Sequence, residues 1–137
     1  PVATPQPSAL EWAEAEFARM EGVTVDGEEG LRQFIDDASD VVREYVLRRV
    51  GVPAPKLTTL ETLIALRGAV TDGTRGALRE TLDGADHVKF AKQIPAQAAG
   101  RDFLERSRET CRACEREWAA DDDNAAAPRM SPTEQSA

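Results

Sequence analysis

One long stretch of the chain carries apolar residues at three- and four-residue steps. Leu31, Phe34, Ile35, Ala38, Val42, Tyr45 and Val46 share one side of a helix and no face of a strand. Acids (Glu28, Glu29, Asp36, Asp37) crowd its beginning and Arg48 and Arg49 its end, the order a helix dipole favours. Gly51, Pro53 and Pro55 stop it. Before it, Ser8 and Glu11 have the spacing of a capping box, which predicts a first helix to about Met20. Leu10, Ala13 and Phe17 fall together on that helix with Trp12 beside them, and Gly22 ends it.

The stretch KLTTLETLIALRG, residues 56–68, repeats the capping signature: Thr58 as N-cap and Glu61 as its reciprocal partner. A third helix from Thr59 follows, with Leu60, Leu63, Ile64 and Leu66 as its expected buried side. At about ten residues it needs neighbours to stand. Thr71 and Asp72 with Gly73 predict a turn and cap for a fourth helix carrying Leu78 and Leu82 inward. Gly84 interrupts, and DHVKFAKQ, residues 86–93, either continues that helix or forms another. Pro95 is expected to start a last long helix with Phe103, Leu104, Ser107, Cys111, Cys114 and Trp118 on one side. From Ala120 onward periodicity is lost, which predicts a disordered tail. The expected organisation is a proline-rich linker over 1–7, a helical domain over 8–119 and that tail over 120–137. The expected fold is all-α: a compact bundle of five or six helices with a helix-turn-helix-like or winged-helix-like centre.

At 137 residues the chain suits one domain with one modest core. Aromatics are only 5%, so Leu, Val and Ala must do most of the packing. The net charge of −8 is uneven: residues 1–50 carry eleven acids against five bases, 51–119 ten against eleven, and 120–137 four against one. No positive field of the kind nucleic acid requires can arise from that distribution. No apolar run within these residues is long enough to span a bilayer. The start at Pro1, inside a linker-like stretch, is expected of a piece of a longer protein.

Reactive side chains are sparse. Cys111 and Cys114 form a C-x-x-C, but it lies well inside a helical run without the preceding strand of a redox domain. A zinc site would need about four ligands, and His87 is the only histidine to supplement two thiolates. Two semi-buried helix cysteines are the simpler reading. No neighbour in sequence completes a catalytic set around His87. Asp122 and Asp123 read as solvated surface, since the EF-hand spacing is missing. A DNA-reading third helix would present Thr59, Glu61, Thr62 and Arg67, and Glu61 has the wrong sign for phosphate. The second helix has an apolar stripe but no basic face, so core packing accounts for it better than a membrane or a coiled coil.

Two segments taken in order, VVREYVLRRVGVPAPKLTTLETLIALRG and LRETLDGADHVKFAKQIP, resemble the cytosolic C-terminal segment of the BatD-like and DUF4381-like bacterial membrane proteins of aerotolerance-type operons. An arginine-bearing helix with Tyr45 is the first shared feature. The second is the helix start at Thr58, Thr59, Glu61 and Leu63, and the third is the run through Asp86, Lys89 and Phe90. Thr62 departs from the pattern, where a leucine is usual. The resemblance covers roughly 41–95. It implies a domain just inside the cytoplasmic membrane, behind a membrane segment upstream of Pro1. Its implied partners are a MoxR-type AAA+ ATPase and proteins with von Willebrand factor A domains, and it implies no enzymatic activity. The expected function is therefore a non-enzymatic protein-interaction domain without cofactor or metal, with a helix-turn-helix nucleic-acid-binding or regulatory domain as the rival. Asp86 and Lys89 are expected to pair with each other or to cap adjacent helix ends, and Phe90 to anchor the last segment on the core.

Overall fold

In the computed structural model, residues 6–91 and 98–126 are described, and they form an all-α bundle of five helices. These are α1 (Ala9–Glu21), α2 (Gly27–Val50), α3 (Thr59–Ala65), α4 (Asp72–Phe90) and α5 (Ala99–Ala126), with a 3-10 turn at Ala54–Lys56. Pro95, expected to open the last helix, lies outside the described residues, as do 1–5 of the linker and 127–137 of the tail.

The caps fall where the sequence places them. Ser8 and Glu11 exchange the two hydrogen bonds of a capping box, and so do Thr58 and Glu61. Thr71 caps α4 through the Thr74 N–H. Gly51 closes α2 at φ 78°, a left-handed conformation that a β-carbon disfavours, with its N–H on the Leu47 carbonyl.

α2 and α5 form the centre. α1 and α4 each lie against both of them but not against each other, and α3 leans on α4 and the 3-10 turn. The expected stripe on α2 is buried from Leu31 to Val46, and so are Phe103, Leu104, Ser107, Cys111, Cys114 and Trp118 on α5. Tyr45 of α2 stacks on Trp118 of α5 with ring centroids 5.9 Å apart. The helices approach closely at Gly100, where a β-carbon would stand 3.0 Å from Leu31 Cδ1. Phe17, wholly buried, carries α1 into the same core.

Charged side chains fix the relative rotation of these helices. Glu115 of α5 accepts from the Tyr45 hydroxyl at 2.9 Å and from Arg49 Nε at 3.0 Å, and Arg49 Nη2 also reaches Asp122 at 2.6 Å. Arg112 pairs with Glu14 through two hydrogen bonds of 2.6 and 3.0 Å, and Arg108 pairs with Glu21, tying α5 to α1. Glu117 accepts the Thr71 N–H and hydroxyl, joining α5 to the start of α4. Burial opposes its ionisation, but hydrogen bonds from Thr74 and Thr71 outweigh that and hold the carboxyl below the ordinary range.

Of the two alternatives open at Gly84 the continuous helix is formed, and several other expectations need correction. α4 runs unbroken through Gly84. A helical glycine costs about 1 kcal/mol against alanine, and the burial of Leu82 and Ala85 on either side overrides it. α5 continues through 120–126, where a tail was expected to begin. Those turns show no apolar stripe because their side chains up to Asn124 are exposed; alanines and the Arg49–Asp122 pair support them instead. Leu60 and Ile64 are exposed, and α3 buries Thr59, Thr62, Leu63 and Leu66. The spacing 59, 62, 63, 66 is a helical stripe one residue out of phase with the apolar one; the Thr62 hydroxyl donates to the Thr58 carbonyl, and that of Thr59 finds its partners on α2 and α4. The helix-turn-helix-like centre differs as well. α3 rests on α4 rather than on α2, and the connection over residues 51–58 is wider than a helix-turn-helix turn. A winged helix would need a hairpin, and among the described residues the only bridge is the isolated Arg67–Val70 pair.

Replacing Phe17 with alanine is expected to lower stability by about 3–5 kcal/mol, read as a fall in the urea midpoint with little change in slope.

Candidate functional site

α3 spans only seven residues, too few to hold itself, so its position depends on what grips it. Arg43 on α2 is the main grip. Its Nη1 donates to the carbonyls of Ala54 and Leu57 at 3.1 and 3.0 Å, closing the turn before α3. Its Nη2 donates at 2.8 Å to the hydroxyl of Thr59, the first residue of α3. That hydroxyl donates in turn to Asp86 Oδ2 on α4 at 2.6 Å. A guanidinium, a hydroxyl and a carboxylate thus form one chain across three helices, with an ionised group at each end to strengthen both bonds. Thr62 returns its hydroxyl to the Thr58 carbonyl at 2.9 Å.

With its threonines turned inward, α3 shows the opposite face to solvent. Leu60 is 63% exposed and Ile64, one turn on, 52%. Phe90, at the end of α4, is 79% exposed. The expectation that Phe90 anchors the chain on the core is overturned. Arg32 of α2 does that work, donating to the carbonyls of Val88 and Ala91 at 2.8 and 2.7 Å and to Lys89 at 3.3 Å. A guanidinium at a helix C-terminus satisfies orphan carbonyls and the dipole together. Lys89 does not pair with Asp86 among the described residues; its ammonium lies 6.0 Å from the Phe90 ring centroid. Nor does Asp86 cap a helix end: Thr58 and Glu61 cap α3, and Asp86 accepts the side-chain hydroxyl of its first residue, Thr59.

The structure therefore gathers Thr58, Thr59, Glu61, Leu63 and Asp86 around α3, leaves Lys89 and Phe90 at the exposed end of α4, and puts Tyr45 in the core on Glu115. Arg43 and Arg32 are the positions holding this region that the periodicity passed over. Their signal is a charge beside an otherwise apolar face: Arg43 follows Val42 directly, and Arg32 follows Leu31.

The buried thiols and Tyr45 hold their protons more tightly than free groups do. Burial pushes the Cys114 thiol up to about 12, with Glu117 and Glu115 adding to the effect. Burial likewise raises Cys111, helped by Cys114 and Glu14. Tyr45 is raised by burial and by its bond to Glu115. His87 is exposed on α4. Among the described residues no group of three His, Cys, Asp or Glu side chains is placed to hold a metal ion. Comparison of the chain with protein-family models, curated proteins and solved structures returns no match.

Two outcomes follow from these contacts. Thr59→Val, which strands Arg43 Nη2 and the Asp86 carboxylate, is expected to cost about 1.5–3 kcal/mol in urea unfolding, whereas Leu60→Ala stays within about 0.5 kcal/mol. The raised thiols keep their protons in the folded chain and lose them in the unfolded one above the ordinary pKa of 9.0. The contribution of the two thiols is thus fully present below pH 9.0 and falls as pH rises toward about 12. At pH 8 neither thiol is expected to react with a disulfide reagent at more than about one hundredth of the rate of the urea-unfolded chain.

Proposed function

We propose that this chain is a non-enzymatic protein-interaction domain whose docking surface is the outward face of α3 with the end of α4. The single observation that carries the reading is the exposure of Leu60, Ile64 and Phe90 on elements that internal hydrogen bonds hold firmly. Large apolar side chains on a rigid helix are the usual anchors of a protein contact. Their positioning does not depend on a partner, so little ordering cost falls on binding.

The resemblance in the order of the Tyr45, Thr58–Leu63 and Asp86–Phe90 motifs supports a more specific version. In it the domain sits on the cytoplasmic face of a bacterial inner membrane, attached through a segment upstream of Pro1. It docks a MoxR-type AAA+ ATPase or a von Willebrand factor A protein. No described helix is long and apolar enough to cross a membrane. The nucleic-acid alternative is less well supported. The exposed face of α3 offers Leu60, Glu61, Ile64 and Ala65, which give apolar contact and negative charge rather than donors for base edges.

Capture from bacterial lysate tests the reading. The triple variant Leu60→Ser, Ile64→Ser, Phe90→Ser is expected to keep its helical circular dichroism and to lose an ATPase or von Willebrand partner that the unaltered chain retains. Equal capture of that partner by both chains, or its absence from both, would sink the proposal.

A further inference from the structure

A second surface lies between α1 and α2, sharing no residue with the α3 face. It is a groove lined by Trp12, Val41 and Pro55 together with Glu16, Arg19, Asp37, Asp40 and Glu44. Its lining sets these three apolar side chains beside four carboxylates and one guanidinium. Two of the carboxylates are already occupied: Glu16 pairs with Arg19 and Glu44 with Arg48, each at 3.1 Å. The other two are not matched by a cation. Asp37 accepts only the neutral Gln33 amide at 2.7 Å, and Asp40 accepts no hydrogen bond among the described residues. Burial raises the Asp40 carboxyl, and the charges of Asp36 and Asp37 raise it further against the pull of Arg43 and Lys89. Negative charge is thus crowded along this groove beyond what the chain itself neutralises.

The molecule also shows what kind of group suits the place. Arg48 lays its guanidinium over the Trp12 ring, 4.2 Å from the centroid, while Glu44 holds its Nε. Arginine is suited to this combination because its flat cation stacks on an indole and still points donors at a carboxylate. A lysine ammonium, more tightly hydrated, gains less from it.

We infer that the α1–α2 groove docks an arginine-bearing segment of a partner protein, with a guanidinium between Asp37 and Asp40 and the side-chain stem on Trp12, Val41 and Pro55. Charge complementarity selects the occupant: the first half of the chain is net acidic, and four of its carboxylates line this groove against one guanidinium.

The test uses the full chain and a fluorescein-labelled tetra-arginine amide at low salt, followed by anisotropy and by the indole N–H resonances. Titration is expected to shift the Trp12 indole signal and leave that of the buried Trp118 in place. Asp37→Asn with Asp40→Asn is expected to weaken binding about tenfold. Asp121→Asn with Asp123→Asn removes the same formal charge from the exposed end of α5 and is expected to change affinity by less than about twofold. Equal weakening in both double variants, an unmoved Trp12 signal, or no measurable binding would overturn the inference. So would spermine or tetra-lysine binding as tightly with the same shift, since the groove would then attract any cation. The triple serine variant of the α3 face should bind tetra-arginine normally, so this surface and the α3 surface stand or fall separately.

Discussion

The bundle depends on how α2 meets α5, and Glu115 is the group that sets that meeting. One carboxylate takes the Tyr45 hydroxyl and Arg49 Nε, both from α2 and one turn apart. The pair of donors fixes translation and rotation together, and the Tyr45–Trp118 stack packs beneath them. Apolar packing alone tolerates small slides, because Leu, Val and Ala faces are smooth and interchangeable. A buried aromatic pair with a charge-assisted hydrogen bond above it is far less tolerant. α1 and α4 then have one groove each, and Trp118 passes the registration on by donating from Nε1 to the Ala69 carbonyl ahead of α4 at 2.8 Å.

α3 inherits its position from that arrangement at one remove. α2 presents Arg43 and α4 presents Asp86, and the distance between them admits one hydroxyl, supplied by Thr59. The polar chain therefore sets the rotation of α3, and Leu63 and Leu66 complete it with apolar contact. Had α3 turned Leu60 and Ile64 inward, Arg43 Nη2 and the Asp86 carboxylate would have lost the hydroxyl between them in a half-buried site. That penalty opposes the hydrophobic gain from burying the two side chains. The exposed apolar face is thus a consequence of satisfying buried polar groups.

This also explains what could be read in advance. Helix number, the capping boxes at Ser8 and Thr58, and the stripes of α2 and α5 were legible because they rest on local spacing and on long runs of one period. The inward face of α3 was not, because hydrophobicity placed Thr59 and Thr62 outside and only the partners Arg43 and Asp86, distant in sequence, reverse that. Phe90 was misjudged for the same kind of reason: aromatic character suggested an anchor, while Arg32, 56 residues before Val88, holds the helix end. The last turns of α5 escaped because periodicity reports burial, and a solvated helix has none to report. Of the two candidate surfaces, the α3 face was visible as motif residues without their orientation. The α1–α2 groove was visible only as an excess of acid.

The interior and the exterior of this domain divide their chemistry accordingly. A proton-transfer site works best with a group whose pKa lies near the working pH. Here the buried thiols and Tyr45 are pushed away from neutrality, and Glu115 is engaged by two donors. Polar groups inside serve to fix geometry, and the same fixing lets the surface carry uncovered features: Leu60 and Ile64 on the outward side of α3, Phe90 at the end of α4, and carboxylates along the α1–α2 groove. Both kinds would be unfavourable on a loose scaffold, which could rearrange to hide the one and spread the other. A rigid bundle keeps them in place, and their cost is carried by the packing of α2 against α5.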